Sequence, residues 1–300
     1  MKLTNEKNAK LEKGAFLFLM LLAGIFGGLV RWIQLRDGFD AQGLAIPGER
    51  SSLILLLLCV CMLAALGVIA LLAAKNRLFP SNAVIVGAIG VPTILFAVCA
   101  AAAGTAGTIA VLITAVQHVS VWGMLNGLLL FASTLLTVPV LKKLSQPIEG
   151  GSPIGTASLL LVFWASFRLI EVYRDVSSNP SVSAYFYDIA ALITMILMFF
   201  ACSGYLYGRK SAMRVYLAVA ANLFFCTTAF LGRGLNCLRL LANGTTFANA
   251  GVTDALIFLY GFLFTLAVVP VFFAPRRADR SLLCCTPPMA ATPMPKTEPF

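Results

Sequence analysis

The sequence predicts an all-α membrane protein of eight transmembrane helices, built as two parallel four-helix repeats, and three observations carry that prediction. Only 11% of the residues are charged and 60% are apolar, with a mean hydropathy of +0.92, whereas a soluble domain is typically about a quarter charged. Apolar runs of bilayer length, about 20 residues each, follow one another with no strand-like alternation, and helices satisfy their own backbone groups in lipid. Finally, FASTLLTVPVLKK (Phe131–Lys143) nearly recurs as FLFTLAVVPVFFAPRR (Phe262–Arg277), so that Phe131, Thr134, Leu135, Val138, Pro139 and Val140 meet Phe262, Thr265, Leu266, Val269, Pro270 and Val271.

The chain opens on a polar segment, residues 1–13, with Lys2, Lys7, Lys10 and Lys13. A basic segment before an apolar run is also the form of a secretory signal, but no small-residue cleavage site follows it, so Gly14–Leu35 is read as span one. The next spans are Ser52–Ala74, Asn82–Ala103, Val119–Leu141, Pro153–Arg174, Tyr185–Tyr207, Ser211–Gly232 and Val252–Ala274. Between spans three and four, Gly104–Val119 is apolar but begins with a glycine-threonine stretch. Joined to span four it would exceed the bilayer without strong tilt, so it is expected to form a short interfacial or re-entrant helix. Its counterpart, Gly234–Gly251, is more polar.

The organisation is then a cytoplasmic segment (1–13), a first membrane half (14–143), a linker (144–152), a second half (153–278) and a tail (279–300). Span one ends in Arg31-Trp32-Ile33-Gln34-Leu35 and its counterpart, span five, in Arg168-Leu169-Ile170-Glu171-Val172. Four spans per half is an even number, so the halves would be related by an axis along the membrane normal and not inverted. Pro139 and Pro270 are expected to stop their helices at the cytoplasmic face. Pro92, mid-span in the third helix, is expected to bend it.

Charge gives the orientation. With the N-terminus inside, 15 of the 22 basic residues fall on inner segments, which places both termini in the cytoplasm by the positive-inside rule. The net charge of +10 therefore lies on the inner face, where anionic lipid is its partner. Nucleic acid is excluded as a partner, because no basic domain stands outside the bilayer. The tail ends in CCTPPMAATPMPKTEPF, whose prolines and small residues build no core. Cys284 and Cys285 follow the last basic pair at a position suited to lipidation.

Cofactor, metal and enzyme chemistry find little footing. Most of the other cysteines fall within spans as small hydrophobes, with Cys237 expected in an outer loop. No CxxC pair or His-Cys cluster marks a metal site, and His118 is the single histidine. No GxSxG elbow, HExxH helix or GxxxxGK[ST] loop is present. Tyr187-Asp188 is half of the pattern of intramembrane aspartyl proteases, but the matching GxGD is missing. Glycine pairs four apart, Gly24 with Gly28, Gly123 with Gly127 and Gly204 with Gly208, point to close helix packing.

Ionisable residues gather at one depth instead. Arg31, Arg168, Glu171, Asp188, Arg233 and Asp254 lie within about two turns of the outer span ends, and Asn126 and Asn222 lie nearer the midplane. Interfacial anchoring and mutual pairing explain such residues without a ligand, and interhelical hydrogen bonding explains the asparagines. Yet Glu171 follows Arg168 by three residues on one helix face, with Phe163, Trp164 and Phe167 just before. That arrangement points to an outward-facing polar pocket for transport or binding of a small polar or amphipathic molecule. The alternative is a non-transporting scaffold or sensor, which holds a cytoplasmic protein or a second copy of itself through the basic face and the tail.

The phrase RWIQLRDGFDAQGLAIPG (Arg31–Gly48), with the basic turns, resembles uncharacterised polytopic membrane proteins of bacteria. The resemblance implies a bacterial cytoplasmic membrane and carries no substrate, cofactor or site residue.

Overall fold

The computed structural model describes residues 2–40, 44, 46, 48–74, 90–146, 153–177, 182–208, 212–247 and 250–272. They form the helices α1 (Lys2–Asp37), α2 (Arg50–Ala74), α3 (Val91–Gln117), α4 (Val121–Leu144), α5 (Pro153–Ser177), α6 (Val182–Leu206), α7 (Ala212–Ala242) and α8 (Val252–Val268), the last continued by a 3-10 turn, Val269–Phe272. The first seven helices are long and apolar enough to cross a bilayer. α8 has only 17 residues, but with its 3-10 extension it reaches roughly 30 Å, about the hydrocarbon thickness. The expected all-α membrane fold is therefore the observed one.

Several expectations change. α1 is helical from Lys2, because nothing in NEKNAKLEK breaks a helix and lysine, glutamate, alanine and leucine favour one. Gly104–Gln117 is not a separate interfacial helix but the second half of α3. The glycines there admit neighbours and do not break the chain: a Cβ on Gly104 would lie 2.5 Å from the Thr134 hydroxyl and 3.1 Å from the Tyr260 ring. α3 thus passes close to both α4 and α8. Pro92 falls in the first turn of α3, where its missing N–H costs nothing, so it makes no mid-span bend. Pro139 sits inside α4, which continues to Leu144, so it is not a stop. Pro270 does lie in the turn that closes α8. α7 runs on through Arg239 to Ala242, which makes the first part of the expected polar cap helical and buries Cys237, while Leu238 and Arg239 stay exposed. The basic turns at Lys75–Arg77 and Arg209–Lys210, Arg276 and Arg277, the linker from residue 147 to 152 and the tail lie outside the described residues.

α7 is the centre of the bundle, packed against α1, α6 and α8. Its contact with α1 is close because Gly24 and Gly28 face it: a Cβ at Gly24 would lie 2.9 Å from Thr227, and one at Gly28 2.5 Å from Leu231. Gly123 and Gly127 play the same part between α4 and α3, 2.8 Å from Ala115 and 2.6 Å from Leu112. The third pair does not: Gly204 faces open space, and Gly208 has a φ of +87° just past the end of α6. α3 packs on α4 and α8, α7 packs on α8, α1 touches α2 and α5 packs on α6, but α1 packs most extensively on α7 while α5 lies chiefly between α4 and α6. α2 stays at the edge, its leucines largely exposed.

Candidate functional site

Odd-numbered helices end, and even-numbered helices begin, at the same end of the bundle. This alternation brings Arg31, Arg168, Glu171, Asp188, Arg233 and Asp254 together. Arginine is the residue suited to such a place, since its planar guanidinium can engage two or three acceptors at once. The layer divides into two networks.

The first joins α1, α6 and α7. Arg31 is fully buried. Its guanidinium donates to the Gln34 side chain at 2.5 Å and to the Ala184 carbonyl, and stands 5.1 Å over the Tyr187 ring. Gln34 passes the connection to Ser52 of α2 at 2.8 Å. Arg233 donates to Oδ2 of Asp188 through Nε at 2.9 Å and through a second nitrogen, and lies 4.9 Å over the Tyr185 ring. Asp188 is only 3% exposed. Its other oxygen, Oδ1, has no hydrogen-bond partner, nor has Nε of Arg31.

The second network joins α4, α5 and α8. Arg168 donates to Glu171 at 2.7 Å and to Asp254 at 2.5 Å. Glu171 also accepts from the Asn126 amide at 2.6 Å, and the oxygen of that amide accepts from the Trp164 indole at 3.1 Å. Asn126 therefore belongs to the charged layer, not to a separate midplane group. Of the aromatic residues that precede Arg168, Trp164 is buried in the network, Phe167 stacks on Trp122 at 5.4 Å, and Phe163 is exposed.

Asn222 stands apart. It is fully buried in α7, donates to Thr265 at 2.7 Å and to the Met198 sulfur at 3.5 Å, and accepts from Thr194 and Cys226 at 3.2 Å each. His118 caps the exposed end of α3. Among the described residues, no three His, Cys, Asp or Glu side chains are placed to share a metal ion.

A cavity of about 220 Å³ separates the two networks. Arg168, Val172 and Val176 of α5, Tyr185, Asp188 and Leu192 of α6, and Asp254, Ile257 and Phe258 of α8 line it. The sequence pointed to Arg168, Asp188 and Asp254 but missed Gln34, Ser52, Tyr185 and Tyr187. Tyr185 and Tyr187 were legible as aromatic neighbours of Asp188, but not Ser52, which reaches the layer only through the packing of α2 on α1. No known protein family, curated protein or solved structure matches the chain, so function has to be argued from this geometry.

Proposed function

We propose that this multi-pass membrane protein binds a small polar or amphipathic molecule in the cavity between α5, α6 and α8, with the charged end outward, as the recognition step of its movement across the bilayer. One observation carries the reading: Asp188 lines the cavity, is almost wholly buried, and keeps one carboxylate oxygen without a donor. A buried acceptor left unmet is costly, and rotation of the carboxylate toward the cavity would let a donor on the ligand meet it. The apolar walls, Val172, Leu192, Ile257 and Phe258, suit the carbon skeleton of such a molecule. The cavity is smaller than the ~300–1,000 Å³ of drug-sized sites, so the ligand is small. Arg168 and Asp254 complete the polar side, and the pairing of Arg168 with both Glu171 and Asp254 ties α5 to α8 across the site.

The test is uptake and binding of a broad metabolite panel by protein reconstituted in liposomes. Arg168→Ala with Glu171→Ala, and separately the space-filling Val176→Phe, should abolish whatever saturable signal the unaltered chain gives. A signal that survives both substitutions removes the cavity from the mechanism. Loss in the first alone, together with a lowered melting temperature, would assign those two residues to folding.

A further inference from the structure

A larger groove lies on the lateral surface at the other end of the bundle. It encloses about 860 Å³ between α2, α6 and α7, with α5 at its margin. It exists because α2 is held mainly by α1 and only lightly by α7. Its floor is made by small residues: a Cβ at Gly67 of α2 or Gly204 of α6 would meet nothing within 4 Å. Phe200 and Leu217 supply apolar walls, and no acidic residue lines it among the described residues.

Among the described residues, Arg214 is its single charged lining residue. It is exposed on the first turn of α7 and makes no ion pair among the described residues. The nearby Tyr207 hydroxyl is already engaged with Thr156 at 2.9 Å. Along α7, Arg214 is about 28 Å from Arg233 at 1.5 Å per residue, so the two arginines are separated by about one hydrocarbon thickness. An apolar trough inside the hydrocarbon that ends under a lone guanidinium at headgroup depth has the shape and charge of one class of molecule. A guanidinium matches phosphate geometry and retains its charge, and the acyl chain needs only the trough.

We infer that an anionic phospholipid from the surrounding bilayer occupies this groove, its phosphate on Arg214 and an acyl chain across Gly67 and Gly204. The site is independent of the cavity at the charged end.

Native mass spectrometry of the detergent-solubilised full chain, with phosphatidylglycerol or phosphatidylcholine added at equal concentration, tests it. The expected result is a phosphatidylglycerol adduct favoured about five-fold, the attraction of one basic residue for an anionic headgroup. Arg214→Gln should reduce phosphatidylglycerol to the phosphatidylcholine level. Gly67→Leu with Gly204→Leu, placed where an added Cβ meets nothing within 4 Å, should weaken both adducts while the melting temperature of lipid-free protein holds. Equal retention of the two lipids by the unaltered chain overturns the assignment. So do adducts that persist in the double leucine variant, or a dimer that the variant dissolves, which would make a second copy the occupant.

Discussion

Two buried polar layers cross this bundle, six residues apart on α6 from Asp188 to Thr194 and eleven on α7 from Asn222 to Arg233, and they differ in kind. Around Asn222, every hydrogen-bonding atom of the amide is engaged by a neutral partner, on α6 at Thr194 and Met198, on α8 at Thr265 and within α7 at Cys226. Around Asp188, charges meet charges, yet Oδ1 of the aspartate and Nε of Arg31 have no partner, and Asp188 lines a cavity. Saturation with neutral groups suits a layer that only fixes helix register. An open acceptor in a charged layer costs stability that folding alone does not require, and that difference directs the functional reading to the charged end.

The comparison breaks most severely at Asp188. Asp188→Ala leaves Arg233 without its carboxylate, and removal of one partner from a buried pair typically costs about 3–5 kcal/mol. The expected outcome is a large fall in melting temperature or failure to accumulate in the membrane. Asp188→Leu combined with Arg233→Met, which replaces the pair by apolar groups of similar bulk, should recover much of that loss while ligand binding stays absent. If the double variant is as unstable as the single one, the pair is not the source of the cost.

Asn222→Ala is the milder counterpart. Hydrogen bonds between membrane helices average about 0.6 kcal/mol and reach about 1.7, and the substitution removes several weak ones together, so a loss of about 1 kcal/mol is expected in a reversible unfolding assay. Ligand binding should be unchanged. A binding defect in this variant, at preserved stability, would extend the site to the midplane and erase the distinction between the layers.

Much of this was legible in the sequence, and the gaps have physical causes. Helix number and type follow from the apolar runs, because lipid leaves a spanning chain few other ways to satisfy its backbone. The depth of Arg31, Arg168, Glu171, Asp188, Arg233 and Asp254 follows from their distance to the span ends. The pairing does not: that Arg168 takes both Glu171 and Asp254, or that Arg233 takes Asp188, depends on which helices are neighbours, and α5 beside α8's charge is not implied by either segment alone. Glycine misled in the α3 region for a related reason. Gly104 reads as a break in one helix when considered alone, but it is the place where Thr134 and Tyr260 of two other helices come close. The repeated Val-Pro-Val motif likewise has two outcomes, Pro139 within α4 and Pro270 in the turn that closes α8, so identical local sequence does not impose identical helix ends.

The smallest structural change separates the two layers most sharply. Asp254 is paired with Arg168, but its side chain is 29% exposed, so water already screens it. Arg168 keeps Glu171 at 2.7 Å when Asp254 becomes Asn, and asparagine preserves the shape. A partly exposed pair of this kind is worth about 0.2–1 kcal/mol, so Asp254→Asn should shift stability by no more than that. If the charged layer exists only to hold helices together, nothing else should change. If Asp254 helps to line a ligand site, affinity for the bound molecule should fall about ten-fold, the size expected when one charge-assisted hydrogen bond is weakened. Titration of ligand onto Asp254→Asn and onto Asn222→Ala, at matched and near-native stability, therefore distinguishes a site from a seam: loss in the first and not the second assigns the charged layer to binding, and equal affinities would return the whole layer to packing.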